Sequence, residues 1–350
     1  MKTAVRPSLA VLFSALCLTL SAAPASAAAV SLTEAAEKNG ALLYWDALTG
    51  SGMLEKNGHR LSFRCGDALA LLDSARLALV DPPRAESGSV LVSEAFLSAA
   101  AELFALPPSA LPLYRIGAVL IDPGHGGKDT GCRGYVTVNG QKTIVYEKDI
   151  ALSVSRLLYA RLKAAYPDKN ILMTRSDDTY LSLEERVELA NSVPLGANEA
   201  IIYISVHVNS SLNSSASGFE VWYLSPDHAR AKPVLSQSAV EDKELFAILN
   251  SMTEEEYMKE STLVAKFLLD ALKAEIGRES PVRGIKGETF FVVRNANMPS
   301  VLAEIGFLSN TREAKRLRDP KYLQKIAQGL HSGLAAFIQH FEQSRGFTAR

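Results

Sequence analysis

At 350 residues, of which 47% are hydrophobic, the chain is long enough to bury a full core and to form two domains. Its formal net charge is −1, so it lacks the positive field that attracts polyanions, and a nucleic-acid partner is not expected. Its function must therefore be sought in local motifs.

The first 27 residues have the features of a signal peptide. Lys2 and Arg6 form a short positive region, Leu9–Leu20 is an apolar run of about a dozen residues, and Ala25-Ser26-Ala27 is a small-residue cleavage site. The run is too short to span a bilayer comfortably and no second long run follows, so a membrane anchor is the weaker interpretation. We therefore expect an exported protein without a membrane span after cleavage, located in the periplasm or the cell-wall space.

Residues 31–106 predict a small, non-catalytic α+β domain. Asn57-Gly58 is a hairpin signal between two strand-like runs, and apolar residues at helical spacing predict a helix over Val92–Phe104. His59 stands apart from other candidate site residues and is interpreted as a solvated loop histidine. The predicted strands are Ala41–Tyr44, Arg60–Phe63 and Leu77–Val80, and prolines in residues 107–116 mark a linker.

Removal of the predicted signal peptide leaves two cysteines, Cys65 and Cys132. An oxidising compartment permits a disulfide between them. They fall in different predicted domains, however, so two separate thiols are favoured over a bridge.

From residue 117 to residue 343, strand patterns and helix patterns alternate, which predicts an α/β domain. Ser182 and Glu185 form a capping-box signal at the start of one predicted helix. The predicted strands are Ala118–Ile121, Asn170–Thr174, Ala200–Val206, Gly218–Leu224, Phe290–Val293 and Ser300–Ile305. The predicted helices are Asp149–Tyr166, Ser182–Asn191, Ser261–Ile276 and Pro320–Phe341.

Two histidines follow buried strands at points where the chain turns. His125 lies in Asp122-Pro-Gly-His-Gly-Gly127, where the proline ends the strand and the glycines permit unusual backbone conformations. His207 follows the apolar run Ile201–Val206. If the strands are parallel, their carboxyl ends meet at the edge where α/β sheets bind ligands, so the two histidines are expected to share one side. For His125 taken alone, a polar turn residue is an equal alternative.

Two glutamates complete the candidate site. Glu147 precedes the helix predicted from Asp149, and two histidines with one carboxylate form a catalytic zinc set that leaves a position open for water. A lone glutamate there would instead stabilise the helix N-terminus by about 0.3–1 kcal/mol. Glu304 stands in the otherwise apolar run Val301–Phe307, where burial without a partner is costly. It either points to solvent or faces a metal-bound water as a general base.

From about residue 117 to residue 341, the chain resembles the zinc-dependent N-acetylmuramoyl-L-alanine amidases of bacterial cell walls, with their type-3 catalytic domain. Several motifs occur in the order that the family shows, and together they are more specific than any one alone. They are Ile121–Gly127, Glu147–Asp149, Thr174-Arg175 with Leu183–Arg186, Ser205–Ser210, and Pro299–Asn310.

The resemblance implies an α/β fold with a mixed, mostly parallel sheet flanked by helices. It implies that His125, Glu147 and His207 bind Zn²⁺ and that Glu304 is the catalytic glutamate. The implied substrate is peptidoglycan, cut at the amide between N-acetylmuramic acid and L-alanine during cell-wall remodelling or daughter-cell separation. The alternatives are an exported zinc peptidase of another specificity, and a catalytically inactive wall-binding or activator protein.

Three nearby residues have more than one interpretation. Arg175 and Arg186 have structural roles or contact peptide carboxylates. Cys132 lies seven residues after His125 and admits a Cys–His peptidase, but that alternative leaves His207 unexplained.

The segment between the strand that ends at Leu224 and the helix predicted from Ser261 is long for a loop. It contains a helix-like part from Leu245 to Met252. In some similar amidases an inserted helix covers the zinc cleft, and one hypothesis is that this segment does the same until a protein activator moves it. The alternative is a helix that packs on the sheet without a gating role.

Overall fold

The computed structural model describes residues 30–46, 50–73, 76–86, 88–107, 114–196, 198–225, 228, 230, 232–235 and 243–343. The predicted signal peptide and most of the predicted linker lie outside these ranges. The chain divides into two compact units, with the boundary between residues 112 and 113. Among the described residues, no helix combines the length and the apolar composition that a membrane span requires.

The first unit is a small α+β fold. Its elements are β1 (Val30–Ser31), α1 (Leu32–Asn39), β2 (Leu42–Asp46), β3 (Ser51–Lys56), β4 (His59–Arg64), β5 (Leu69–Leu72), β6 (Arg76–Leu79), β7 (Arg84–Glu86), β8 (Ser89–Val92) and α2 (Glu94–Phe104). Strands β2 to β6 form an antiparallel meander in sequence order, and β1, β8 and β7 form a second antiparallel sheet. Leu32, Leu61 and Phe96 lie in a core that belongs to this unit alone.

Local signals in the first unit are partly confirmed. Asn57 and Gly58 form the turn between β3 and β4, both with positive φ, as a two-residue hairpin requires. The helix predicted from Val92 begins two residues later, because Ser93 caps it by accepting the Phe96 N–H. The interpretation of His59 as a solvated residue is wrong. Its ring is buried, and its nitrogens lie 2.8 Å from Asp73 Oδ2 and 2.9 Å from the carbonyl oxygen of residue 107.

The second unit has the α/β fold that the sequence predicts. Its strands are β9 (Arg115–Pro123), β10 (Arg133–Val138), β11 (Gln141–Tyr146), β12 (Asn170–Met173), β13 (Glu199–Asn209), β14 (Phe219–Leu224), β15 (Val282–Glu288) and β16 (Ser300–Phe307). Its helices are α3 (Glu147–Ala165), α4 (Leu183–Asn191), α5 (Lys243–Ile276), α6 (Phe291–Asn295), α7 (Thr311–Arg316) and α8 (Pro320–Gln343).

The central sheet of the second unit has six strands in the order β12-β9-β13-β16-β14-β15. Neighbouring strands are parallel except for β14, which runs antiparallel to β16. The mixed, mostly parallel sheet is therefore confirmed. Strand β13 is apolar on both faces, from Ala200 to Val206 with Ser205 as the exception, because helices cover both sides of it.

Helices form one layer on each face of this sheet. On one face, α3, α5 and α8 pack on the sheet and supply Leu158, Leu268 and Leu334 to the larger core. On the other face, α4 and α6 cover part of the sheet with a smaller apolar cluster. Gly333 lets α8 approach α5 closely, since a Cβ there would lie 2.7 Å from Leu268 Cα.

Several element predictions in the second unit are wrong. The predicted strand Phe290–Val293 is the start of α6, because a run of four apolar residues does not distinguish a strand from a buried helix. The helix predicted from Ser261 begins at Lys243. The hairpin β10–β11 was missed, although Asn139-Gly140 is its turn and is a hairpin signal in the sequence.

The segment between Leu224 and Ser261 lies away from the carboxyl end of β16, which carries Glu304. Because β14 runs antiparallel to β16, it ends beside the first residues of β16. Ser261 Oγ accepts the N–H of Ser300, the first residue of β16, and Arg230 donates to the carbonyl oxygen of Ala296. For the described part of this segment, the hypothesis of a helix over the zinc cleft is therefore wrong.

Candidate metal centre and catalytic site

His125 lies in the loop after β9, two residues beyond Pro123. Its backbone has φ +59°, in the left-handed region that few non-glycine residues adopt. Gly124 leaves space for the second histidine of the site, because a Cβ at this position would lie 2.4 Å from His207 Cε1. His125 Nδ1 lies 2.8 Å from Asp129 Oδ2, and this contact turns the other ring nitrogen, Nε2, toward the centre of the site.

Glu147 is the first residue of α3 and is almost fully buried. Val208 donates its backbone N–H to Glu147 Oε1 at 3.0 Å, and Cys132 donates its backbone N–H to Oε2 at 2.8 Å. Burial by itself raises the pKa of this carboxyl, but hydrogen bonds and charge from His125 and His207 outweigh burial and hold the pKa below its usual range. The carboxylate is therefore ionised and held in one orientation by two backbone donors.

His207 belongs to β13, which continues to Asn209 rather than ending at Val206. Its Nδ1 lies 2.9 Å from Glu147 Oε1, and His125 Nε2 lies 3.1 Å from the same oxygen. The two imidazole rings have centroids 5.0 Å apart and planes inclined by 79°. The structure thus brings together the three residues predicted as metal ligands, with their ligand atoms within 4.8 Å of one another.

This set of donors fits a zinc ion. Two imidazole nitrogens and one carboxylate oxygen are a common catalytic zinc set, and bonds of about 2.0–2.2 Å at tetrahedral angles put ligand atoms roughly 3.4 Å apart. The two nitrogens lie 2.9 and 3.1 Å from the Glu147 oxygen. Both nitrogens approach Glu147 Oε1, which already accepts the Val208 N–H. Because one carboxylate oxygen has two lone pairs, a cation shared by the three side chains accounts for this convergence better than two further hydrogen bonds.

Glu304 faces the same group from β16. In the sheet register it lies beside His207 on β13 and beside Glu220 on β14. It is 9% exposed, and its Oε2 has no hydrogen-bond partner within the described part of the chain. Burial first, and then the negative charges of Glu147 and Glu220, raise its pKa well above the usual range. The alternative in which Glu304 points to solvent is therefore wrong.

Two buried arginines hold the loop that carries His125. Arg186 donates to Asp122 Oδ1 (2.5 Å), to the carbonyl oxygen of Pro123 (2.8 Å) and to that of His125 (2.5 Å). Arg175 donates to the carbonyl oxygens of Pro123 (2.9 Å) and Gly124 (2.7 Å). Because both guanidinium groups are buried and bonded to the backbone, they have a structural role and do not reach peptide carboxylates.

Cys132 does not have the environment of a catalytic nucleophile. Its thiol donates to the carbonyl oxygen of Val208 at 3.0 Å. Burial first, and then the charge of Glu147, raise the pKa of the thiol, which therefore stays protonated. Cys65 and Cys132 are both free thiols.

Sequence reasoning missed three acidic residues that support the site. Asp122 and Asp129 lie within four positions of His125, so a search for acidic neighbours of each candidate ligand would have found them. Glu220 is buried beside Glu304, and its only signal is a charged residue in the apolar run Phe219–Leu224.

Comparison with known proteins identifies relatives of the second unit. The family model described as N-acetylmuramoyl-L-alanine amidase matches residues 119–336, which is more than half of the chain. The uncharacterized protein YqiI of Bacillus subtilis is 34% identical over 219 residues, which cover 63% of this chain and 84% of that protein. N-acetylmuramoyl-L-alanine amidase LytC of Bacillus subtilis is 30% identical over 223 residues, which cover 63% of this chain and 35% of that protein. The chain thus spans about a third of the length of LytC.

Solved structures of amidases are also similar to the same region. The crystal structure of N-acetylmuramoyl-L-alanine amidase from Clostridium difficile matches with 27% sequence identity and a TM-score of 0.47. The match covers 64% of this chain and 98% of that chain.

Proposed function

Because the chain belongs to the N-acetylmuramoyl-L-alanine amidase family, we propose that it hydrolyses the amide between the lactyl group of N-acetylmuramic acid and the L-alanine of the peptidoglycan stem peptide. The observation that supports this most is the convergence of His125 Nε2, Glu147 Oε1 and His207 Nδ1 at the sheet edge where Glu304 also lies. A metal site with an adjacent carboxylate suits the hydrolysis of an unactivated amide.

In this proposal His125, Glu147 and His207 hold a zinc ion. Bound zinc polarises a carbonyl oxygen and lowers the pKa of bound water to about 7. Asp129 interacts with His125 Nδ1 and so keeps Nε2 free as the ligand atom. Glu147 supplies one negative charge, and the Val208 and Cys132 N–H groups keep it in place.

Glu304 acts as the general base. Its carboxylate takes one proton from the attacking water and passes it to the nitrogen of L-alanine as the C–N bond breaks. One water molecule is consumed, and the products are a lactyl carboxylate and a peptide with a free amino group. Burial of Glu304 limits the access of bulk water to the carboxyl between the two transfers.

The cellular role follows from the substrate and from the signal-peptide pattern. We propose that the protein is exported to the periplasm or the cell-wall space, where it acts in cell-wall remodelling or daughter-cell separation. We assign hydrolysis to the second unit. Within the described residues, three candidate metal ligands come together only in that unit, so the first unit is proposed to be non-catalytic.

The test combines metal analysis with identification of the products released from purified peptidoglycan. His125→Ala and His207→Ala each remove one of three ligands, so zinc content and activity should fall together. Glu304→Gln keeps the size of the side chain but cannot accept the proton, so zinc should remain while turnover drops by about 10²–10⁴-fold. His228→Ala, an exposed histidine outside the centre, is the control for the ligand variants, and Glu184→Gln is the control for Glu304.

The products separate the proposed activity from its alternatives. An amidase releases stem peptides that begin with a free L-alanine amine, whereas a peptidase of another specificity leaves L-alanine on the glycan. A zinc-loaded wild type that releases no peptide would favour an inactive wall-binding protein. Near-normal turnover in Glu304→Gln would remove this residue as the base, and full activity of zinc-free wild type would overturn the metal mechanism.

A further inference from the structure

A row of polar residues crosses four neighbouring strands beside the candidate centre. His207 on β13 pairs in register with Glu304 on β16, and Glu304 pairs with Glu220 on β14. On the next strand, β15, Lys286 pairs with Trp222 of β14, two residues after Glu220. Because paired residues of adjacent strands share a face, this row leads from the proposed metal site to the edge of the sheet.

The far end of the row carries a surplus positive charge. Glu220 is 2% exposed, and its Oε2 accepts from Arg283 Nε at 2.7 Å and from Lys286 Nζ at 2.5 Å. Its Oε1 accepts from Asn209 Nδ2 at 2.8 Å. One carboxylate thus faces two cations, which leaves a net charge of about +1 in this group at neutral pH.

The two cations are partly open to solvent and are held in position. The side chains of Arg283 and Lys286 are 35% and 32% exposed. Lys286 Nζ lies 4.8 Å from the centroid of the Trp222 ring, and the Arg283 guanidinium carbon lies 4.8 Å from the centroid of Phe307. Contacts of this kind restrict the rotamers of long side chains, so less conformational entropy is lost when an anion binds.

We propose that Lys286 and Arg283 form a subsite that binds a carboxylate of the stem peptide. This inference rests on the proposed amidase function. In intact peptidoglycan the lactyl carboxyl is consumed in the scissile amide, so the carboxylates of the substrate belong to the peptide and not to the glycan. A cationic group therefore selects the peptide side of the substrate.

The distance from the metal site suits a stem peptide. Strands lie about 4.7–4.9 Å apart, so β15 is roughly 14 Å from β13. An extended peptide spans about 3.3–3.6 Å per residue, so roughly four residues bridge this distance. A carboxylate near the far end of a short stem can then reach Lys286 while the scissile amide lies at the metal site.

The experiment compares two soluble muramyl peptides that differ in charge. One carries free carboxylates on the stem, and in the other these carboxylates are converted to amides. Wild type should prefer the free acid by about tenfold in kcat/KM, a typical effect of one charge-assisted contact. Lys286→Gln should abolish this preference by raising KM for the free acid, so that the two peptides are cleaved with equal kcat/KM.

Three controls separate a subsite from a structural role. Lys286→Arg keeps the charge and should retain the preference, and Arg283→Gln should reduce it. Lys266→Gln removes an exposed lysine of α5 and should change nothing. Zinc content should be equal in all variants.

The outcomes distinguish this inference from the proposed function. If Lys286→Gln loses the same factor on both peptides, or keeps the wild-type preference, the subsite is wrong while the amidase activity stands. If wild type cleaves neither peptide, the proposed function fails and the subsite fails with it. If Lys286→Gln does not fold, Lys286→Arg and Arg283→Gln are compared on the two peptides instead. An equal preference of these two variants for the free-acid peptide would overturn the inference.

Discussion

Asp122 is the charged residue most completely enclosed beside the candidate site. Its carboxylate accepts hydrogen bonds from Arg186, from Thr174 Oγ1 at 2.6 Å and from Ser205 Oγ at 2.7 Å. Burial by itself raises the pKa of Asp122, but the Arg186 charge and these hydrogen bonds outweigh burial and hold the pKa below its usual range. Since Arg186 also binds the carbonyl oxygen of His125, Asp122 connects the stability of the fold to the metal loop.

Replacement of Asp122 should show this coupling as a pH-dependent loss of stability. Asp122→Asn leaves Arg186 buried without a counter-charge and should lower the free energy of unfolding by about 3–5 kcal/mol at pH 7. Because the pKa of Asp122 is lower in the folded chain than in the unfolded chain, its ionised form stabilises the fold. This contribution is fully present at pH values above the unfolded pKa of about 3.9, and it is lost as the pH falls through the folded pKa. The difference between wild type and variant should therefore be constant from about pH 8 to 5 and shrink below about pH 4.

Urea denaturation across this pH range measures the effect. Asp168→Asn, at a carboxylate that is 61% exposed, should change stability by less than about 0.5 kcal/mol. If the difference in free energy of unfolding between wild type and Asp122→Asn grew at low pH, the ionised Asp122 carboxylate would not be the stabilising group.

Residues of the candidate site differ in how far the sequence could predict them. The proximity of His125 and His207 was predictable, because each follows an apolar run in neighbouring parallel strands. Glu147 was a candidate from its place before a predicted helix and from the need of two histidines for a carboxylate partner, but the backbone contacts that hold it, from Cys132 and Val208, were not predictable. Glu220 was not predictable, because its place beside Glu304 depends on an antiparallel pairing that local patterns do not encode.

At the scale of elements, the close approach of the β9 loop to β13 depends on one glycine. A Cβ on Gly124 would lie 2.4–2.6 Å from three atoms of the His207 ring. Gly124→Ala should therefore displace the ring, lower zinc content and reduce activity by about 10²-fold, which is typical of a misplacement near 1 Å. Metal analysis and peptide release measure both effects.

A second glycine variant separates ring displacement from backbone strain. Gly140 has φ +79° in the β10–β11 turn, and a Cβ there would meet no atom within 4 Å. Gly140→Ala should cost about 1–2 kcal/mol in stability but leave zinc content unchanged. Full zinc occupancy and activity in Gly124→Ala would refute the steric argument.

Helices and strands with a clear periodicity of apolar residues or a capping signal were predictable from the sequence. Elements whose bounds depend on tertiary contacts were not. The helix that begins after Ser182 follows its capping box, in which Ser182 and Glu185 exchange hydrogen bonds. The sequence predicts a strand where α6 lies because Phe290–Val293 is a short apolar run, and such a run fits a buried strand and a buried helix equally well. The part of α5 that precedes Ser261 was not predicted, because it depends on tertiary contacts such as the one between Arg230 and Tyr257, which no local pattern encodes.

At the scale of the whole molecule, the two units have separate hydrophobic cores. We therefore expect a fragment that begins at Leu113 to fold alone, bind zinc and cleave soluble muramyl peptides as well as the whole chain does. Circular dichroism, metal analysis and peptide release from the fragment test this prediction.

The Glu304→Gln form of the same fragment is the control for contaminating hydrolases. An unfolded or zinc-free fragment would show that the first unit is needed for the stability of the second. A folded, zinc-loaded fragment without activity would instead show that the first unit takes part in catalysis or substrate binding.

The position of β16 in the sheet determines when, during synthesis of the chain, the candidate site is complete. Strands β13 and β14 are consecutive in the chain, but β16, made much later, inserts between them. A nascent polypeptide thus carries all three proposed ligands long before the ribosome adds Glu304. On the proposed function, an incomplete chain is unable to attack the wall polymer, and the hydrolase becomes competent only when its synthesis is nearly finished.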